Sequence, residues 1–481
     1  MTSDFSDKNT APRGYVMRLK YFFRQAYVRF CPESFKRIVT RIRISPIGSS
    51  IASGAFWSMT GSVFSRAFIV VATVWVARIL GKICYGEYGL IISTVNSFIL
   101  FSSVGIGMTA TKYVSEFAET DKERAGKIIG LSYLTTLGAG ILLTVVFLIL
   151  APWISNHVMK SPHLVNELRL GILFVVIAAI NAAQLGILTG FQAFREIATV
   201  NILFGLVVIP FRVIGAWVGG LGGVVVGFGL SLLVLLALNR YFITKLMKRY
   251  CLRVSWRFAF DELPILWKFS LPAVLSSIII TPAYWLCYLM LARSESGISE
   301  VALLDAARQY QLMILFVPGT ISRVVLPMLV RVNNEENSRR FSLIIKYNLL
   351  LNGGITAVMC LPIVVFSPWL MSIYGNGFTE GTSTLCLLAF TSIVISLHGV
   401  VGQILASREK LWVSFILNFI WFITLISVCY IMTTRNTGAF GVAVAILFAY
   451  VVQFICISSY VMGTGELSSK RMGGTVSTKE C

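Results

Sequence analysis

Twelve stretches of about 20 predominantly apolar residues follow one another along this chain, at roughly 54–78, 88–111, 128–151, 170–190, 198–219, 222–243, 268–292, 308–331, 347–369, 385–406, 411–432 and 437–462. A helix of about that length crosses the hydrocarbon core of a bilayer. Lipid offers no partner for backbone N–H and C=O groups, so each stretch is expected to satisfy its own by forming a helix. Composition agrees: of 481 residues, 56% are hydrophobic and 13% charged, with a mean hydropathy of +0.80. Soluble domains carry about 25% charged residues. A secreted disulfide protein and a soluble enzyme on a single anchor are therefore both excluded. The nine cysteines are scattered without a C-x-x-C pair, and there are three histidines. No zinc-type cluster can be assembled from that spacing, and no cofactor is expected.

The net charge of +20 must be distributed around those stretches. With the N-terminus in the cytoplasm, 31 of the 41 Lys and Arg fall on the inner side and 7 on the outer side. Basic residues flanking membrane helices stay on the cytoplasmic side, so both termini are expected there. Trp75, Trp153, Trp217 and Trp369 fall at outer ends of stretches, whereas Trp57, Trp256, Trp267 and Trp412 fall at or near inner ends. That is the aromatic belt of a polytopic bundle.

The basic residues sit beside membrane stretches, where they match anionic lipid head groups rather than nucleic acid. Residues 1–53 form a basic arm that is too long and too charged to be a cleavable signal peptide. In it Arg18, Lys20, Arg24, Arg29, Lys36, Arg37, Arg41 and Arg43 interleave with Tyr21, Phe22, Phe23, Tyr27 and Phe30. That pattern suits an amphipathic segment lying in the membrane interface.

Short echoes recur at offsets of 212 to 218 residues. Gly190-Phe-Gln-Ala-Phe-Arg195-Glu196 resembles Gly402-Gln-Ile-Leu-Ala-Ser-Arg408-Glu409, and Gly220-Leu-Gly-Gly-Val-Val-Val resembles Gly438-Ala-Phe-Gly-Val-Ala-Val. Two repeats of six helices follow: an N-lobe at 54–243 and a C-lobe at 268–463, joined by a basic linker at 244–267 and followed by a cytoplasmic tail at 464–481. Six is even, so the repeats share one orientation. A pseudo-two-fold axis along the membrane normal would relate them, with a cavity between. The expected fold is all-α.

Ala77-Arg78-Ile79-Leu80-Gly81-Lys82, followed by Tyr85-Gly86-Glu87-Tyr88-Gly89, resembles the signature after the first helix of polysaccharide-transporter flippases. Gly105-Ile106-Gly107 with Lys112-Tyr113-Val114, Leu271-Pro272, and Pro318 with Pro327 resemble later landmarks of that family. The resemblance covers about residues 50–463 and implies the oligosaccharide flippase branch of the multidrug/oligosaccharidyl-lipid/polysaccharide exporter superfamily.

An ionisable group at mid-bilayer is costly and usually faces a wet interior. Three arginines fall inside stretches. Arg66 is twelve residues from either end of the first and shares a face with Ser58 and Ser62. Arg212 in the fifth shares a face with Asn201 and Gly205, and Arg323 in the eighth with Gln309 and Phe316. His398 in the tenth is a fourth candidate, for a substrate or proton-linked role. By these boundaries no Asp or Glu lies within a stretch. The cavity is thus expected to be cationic, without the buried carboxylate that an exporter of organic cations needs, and suited to phosphate or carboxylate oxygens.

Enzymatic readings find no support. No G-x-x-x-x-G-K-[ST] loop exists, the outer loops have about 16 residues or fewer, and paired intramembrane carboxylates are missing. A glycan polymerase would need a large outer domain. The expected function is alternating-access flipping of an anionic, polyprenyl-diphosphate-linked oligosaccharide across a bacterial cytoplasmic membrane. Its partners would be that lipid-linked glycan, the membrane lipids, and the glycosyltransferases and polymerase of the same pathway. The alternative is a flippase for the lipid-linked peptidoglycan precursor. Pro272, Pro282, Pro318 and Pro327 in the seventh and eighth stretches are expected bending points.

Overall fold

The structure, a computed structural model, describes residues 46–103, 105–255, 279–295, 297–334, 338–408 and 410–464. The arm before Pro46, the segment 256–278 with Pro272, and the tail after Thr464 lie outside the described residues, as do the side chains of 46–60, Arg323 and Pro327. The chain divides into Met1–Phe56, of which only the start of the first helix is described, and Trp57–Cys481, which carries everything below.

Among the described residues every regular element is helical. The helices are α1 (Pro46–Ser103), α2 (Ile106–Phe117), α3 (Lys122–Trp153), α4 (Val165–Leu173), α5 (Val175–Gly190), α6 (Phe194–Tyr250), α7 (Ile280–Ala292), α8 (Gly297–Asn334), α9 (Ser338–Val365), α10 (Ser367–Ser372), α11 (Thr382–Ser407), α12 (Leu411–Thr434) and α13 (Gly438–Gly463). Eight segments of the described residues are long and apolar enough to cross a membrane, and α7 is a shorter apolar helix.

Two of the eight are folded back. In α1 the break is Gly81, with φ 77° and ψ 171°; in α6 it is Gly219–Gly220, with φ 55° at Gly220. Only glycine enters these regions without a Cβ clash. The sequence places turns between its first and second, and its fifth and sixth, stretches at the same residues. Gly438, 218 positions after Gly220, has the matching φ of 63°. The two echoed glycines thus share a positive φ.

One boundary moves. The eighth stretch was expected from 308, but α8 begins at Gly297. Its first turns carry Glu300, Asp305 and Arg308, which depress hydropathy and hide the helix from a search for apolar runs. Of the expected bending points, Pro282 falls in the first turn of α7, where a missing N–H costs nothing.

Packing locates the site. One large hydrophobic cluster joins residues from both halves of the chain, among them Tyr85, Leu90, Leu164, Tyr288, Leu303, Tyr374 and Trp421. These lie toward the end of the bundle marked by Gly81. Toward the opposite end the core splits. One cluster draws on Ala110, Ile128, Ile187 and Leu246, and another on Leu329, Phe341, Ile404, Leu417 and Ile457. The two halves thus share a core at the Gly81 end and keep separate cores at the other.

Candidate functional site

The second arm of α1 begins with Tyr85-Gly86-Glu87-Tyr88-Gly89. At 3.6 residues per turn, Tyr85 and Tyr88 share a face while Glu87 points elsewhere. α8 crosses that face. A Cβ on Gly86 would lie 1.9 Å from the Ile298 carbonyl oxygen, so the crossing needs glycine there. Gly89 faces the Asp305 side chain at an ordinary 3.6 Å.

This close approach sets up a buried polar junction. Tyr85 Oη donates to Asp305 Oδ2 at 2.8 Å, and Tyr288 Oη donates to Oδ1 at 3.0 Å. The Tyr85 ring packs against Tyr374 and Phe378, with centroids 6.1 and 5.9 Å away. Glu87, on the other side, pairs with His163 at 2.6 Å. Around the junction runs a ring of latches between the two halves of the chain. Arg78 Nε donates to the Ile373 carbonyl at 2.6 Å, Lys82 pairs with Glu380, and Arg293 donates to the carbonyls of His157 (3.0 Å) and Val158 (2.7 Å).

Next to the junction lies a cavity of about 190 Å³. Both halves of the chain line it: Thr73, Tyr88 and Asn96 from α1, Arg212 from α6, Tyr284 and Tyr288 from α7, and Asp305, Arg308 and Gln309 from α8. Arg212 is 9% exposed, with its guanidinium 5.3 Å from the Phe228 ring centroid. Its Nε and the Tyr88 hydroxyl are buried without a hydrogen-bond partner among the described residues. A buried polar group left unpaired costs about 1–3 kcal/mol, which an incoming acceptor atom would recover. Arg308 lies over Tyr284, 3.6 Å from its centroid, and makes no ion pair with Asp305 one turn before it. A guanidinium carries five N–H donors, so stacking on Tyr284 and a hydrogen bond to the Tyr288 hydroxyl leave others to meet an oxygen acceptor.

The four residues expected from the sequence fare differently. Arg212 lines the cavity. Arg66 does not, and its side chain is exposed. It shares a helix face with Ile69 and Thr73, three and seven positions on, and these do line the cavity. On the same stripe Ser62 accepts from Asn201 at 3.5 Å. The Arg323 side chain lies outside the described residues, although Gln309, on its expected face, lines the cavity. His398 is half-buried and not among the lining residues; its ring is 5.9 Å from that of Tyr450.

The expected absence of an acidic group needs correction. Asp305 sits in α8 and lines the cavity. Its two oxygens accept from tyrosine hydroxyls, which fix the carboxylate in place, and its charge acts on Arg308 one turn on. With Arg212 and Arg308 beside it, the described lining still carries one net positive charge. Asp305 was missed because it precedes the apolar run, and Arg308 because it stands at the run's very start, where a basic residue reads as a flank. The available signal was their three-residue spacing, which puts them on one face if the helix starts early.

A model of the polysaccharide biosynthesis protein family matches residues 51–333. The chain belongs to that family. A second model, of the lipid II flippase MurJ, matches residues 310–477. The EPS I polysaccharide export inner membrane protein EpsE of Ralstonia nicotianae is 22% identical over 411 residues, covering 83% of this chain and 91% of that protein. Its counterpart in Ralstonia solanacearum is 22% identical over 420 residues, covering 85% and 93%. Among solved structures, an inward-facing multidrug resistance MATE transporter of the MOP superfamily superposes with a TM-score of 0.72 at 16% identity, covering 84% of this chain and 96% of that one. A MOP superfamily transporter from Pyrococcus furiosus, described as having a binding pocket of reversed polarity, gives 0.68 at 17% identity, covering 89% and 97%. These likenesses show the fold. The family resemblance carried by the Arg78-to-Gly89 motif is thereby borne out: this is a polysaccharide flippase-type transporter rather than an enzyme, with the fold seen in MOP superfamily transporters.

Proposed function

We propose that this protein flips an anionic, polyprenyl-diphosphate-linked oligosaccharide across the bacterial cytoplasmic membrane for cell-surface polysaccharide synthesis. The observation that carries the reading is the pair Arg212 and Arg308, one from each half of the chain, in a single cavity with unpaired buried donors beside them. Guanidinium forks match phosphate oxygens bidentately and keep their charge when desolvated. The Ralstonia relatives, named for polysaccharide export at an inner membrane, fit the same reading.

The protein makes twelve crossings in two six-helix lobes, 54–243 and 268–463, with both termini cytoplasmic. The breaks at Gly81 and Gly219–Gly220 split two long helices into four crossings and support that count. Basic-residue asymmetry puts the Gly81 end on the outer side. Trp75, Trp153, Trp217 and Trp369, all at that end, are exposed as interface anchors should be. In this orientation the shared core and the latches close the outer side, and the cavity opens toward the cytoplasm, ready for a substrate made there. Diphosphate binds in the cavity while the polyprenyl chain stays in lipid. Arg66, on the stripe leading to the cavity, is the guiding cation at its approach.

A second reading has a specific observation behind it. The lipid II flippase model matches residues 310–477, and the peptidoglycan precursor is also a lipid diphosphate. Deleting the gene separates the two. On the preferred reading, surface polysaccharide is lost, its lipid-linked unit accumulates on the cytoplasmic leaflet, and growth continues. Cell lysis with surface polysaccharide retained would favour the second. A cation exporter is disfavoured because Asp305 shares its cavity with two guanidiniums, those of Arg212 and Arg308.

A further inference from the structure

A second cavity, of about 290 Å³, lies within the N-terminal helices, between α1, α5 and α6. Its polar lining is Asn96, Asn181, Asn201 and Asn239, and the rest is apolar; no charged residue lines it. Polar side chains inside a membrane bundle are costly unless they bond one another or a ligand. These four are only partly satisfied. Asn181 Nδ2 donates to the Leu232 carbonyl at 3.0 Å, and Asn239 Nδ2 donates to Asn181 Oδ1 at 3.4 Å. Asn201 reaches Ser62 only at 3.5 Å, and Asn96 is exposed into the space.

The two cavities adjoin. Asn96 lines both, and Phe228 lines the second while carrying the Arg212 guanidinium 5.3 Å from its ring centroid. Along the second arm of α1, Asn96 is eight residues beyond Tyr88, or about 12 Å at 1.5 Å per residue. A group held at Arg212 and Tyr88 therefore has its continuation within reach of the amides.

We propose that this asparagine-lined cavity binds the uncharged sugar rings attached to the diphosphate. An amide carries two donors and an acceptor, and so matches hydroxyl and acetamido groups, which also do both. It has no charge with which to compete for the phosphates. The chemistry divides accordingly: guanidiniums hold the part common to every such lipid, and amides among apolar walls read the sugar. Pockets that combine apolar walls with a few convergent polar groups are typical small-ligand sites.

The inference rests on the lipid-diphosphate reading, and the test separates the two. Binding to the purified full-length protein is measured with undecaprenyl diphosphate alone and with undecaprenyl diphosphate bearing one N-acetylhexosamine. The sugar-bearing probe is expected to bind at least tenfold tighter. Asn201→Ala combined with Asn239→Ala should erase that preference, and retained binding of the bare probe shows that the variant is folded. Arg212→Leu should weaken both probes. Equal binding of the two probes by the native protein, or a preference that survives the double substitution, would overturn the sugar site while leaving the diphosphate reading standing. Failure of the native protein to bind either probe, or an Arg212→Leu variant that binds both as well as before, would overturn the diphosphate reading and this one with it.

Discussion

Tyr85 and Asp305 are 220 positions apart in the chain, and a 2.8 Å hydrogen bond joins them where the second arm of α1 crosses α8. The bond ties the two halves of the protein together beside the cavity, at the end where they share a core. On the alternating-access proposal, opening the cavity toward that end breaks it. Tyr85→Phe keeps the ring that packs on Tyr374 and Phe378 and removes only the donor. A hydrogen bond to a charged group contributes about 1.5–3 kcal/mol, so the ratio of closed to open forms should fall about tenfold or more. Spin labels across the Gly81 end would show a longer-distance population in the variant. An unchanged distribution would mean that the aromatic packing alone holds this end shut.

The glycines of the same motif make a sharper steric prediction. A methyl group at Gly86 would meet the Ile298 carbonyl oxygen at 1.9 Å, whereas one at Gly89 would touch Asp305 at 3.6 Å. Gly86→Ala should therefore push α8 away and abolish export, while Gly89→Ala should keep most of it. Surface polysaccharide per molecule of membrane-inserted protein measures the difference.

Arg66 stands on the approach to the cavity rather than within it. Arg66→Lys should retain partial export, because charge remains while the bidentate fork is lost. Arg66→Ala should lower export at normal abundance, since removing a mid-membrane charge relieves an insertion cost. Arg66→Glu should be at least as defective, through repulsion of the diphosphate. Full export by the Ala variant would remove Arg66 from the pathway.

Much of this architecture was legible in the sequence because lipid imposes a simple rule on length and hydropathy. The stretches, the turns at Gly81 and Gly220, and the importance of the Arg78-to-Gly89 segment could all be read from it. The purpose of that segment could not. Arg78, Lys82 and Tyr85 act on Ile373, Glu380 and Asp305, nearly 300 residues away in two cases, and no local pattern announces such partners. Asp305 and Arg308 escaped for a different reason. A helix face turned toward a cavity need not be apolar, so hydropathy cannot find where α8 begins. Arg212 was found because it interrupts an otherwise apolar run.

Orientation can be checked with a thiol already present. Cys251 is exposed just after α6, and Glu295 is exposed between α7 and α8. A membrane-impermeant maleimide applied to intact cells should label Glu295→Cys and spare Cys251. Labelling of Cys251 would reverse the assignment of the Gly81 end to the outer side.

The central claim is that Arg212 and Arg308 together carry a lipid diphosphate across the membrane. Its most direct test is flipping of a polyprenyl-diphosphate-linked sugar in proteoliposomes, followed by the accessibility of the sugar to a lectin outside. The native protein should expose the sugar. Arg212→Leu and Arg308→Gln should each slow exposure at least tenfold, with the variants inserted at equal density. Native rates in both variants would contradict the account.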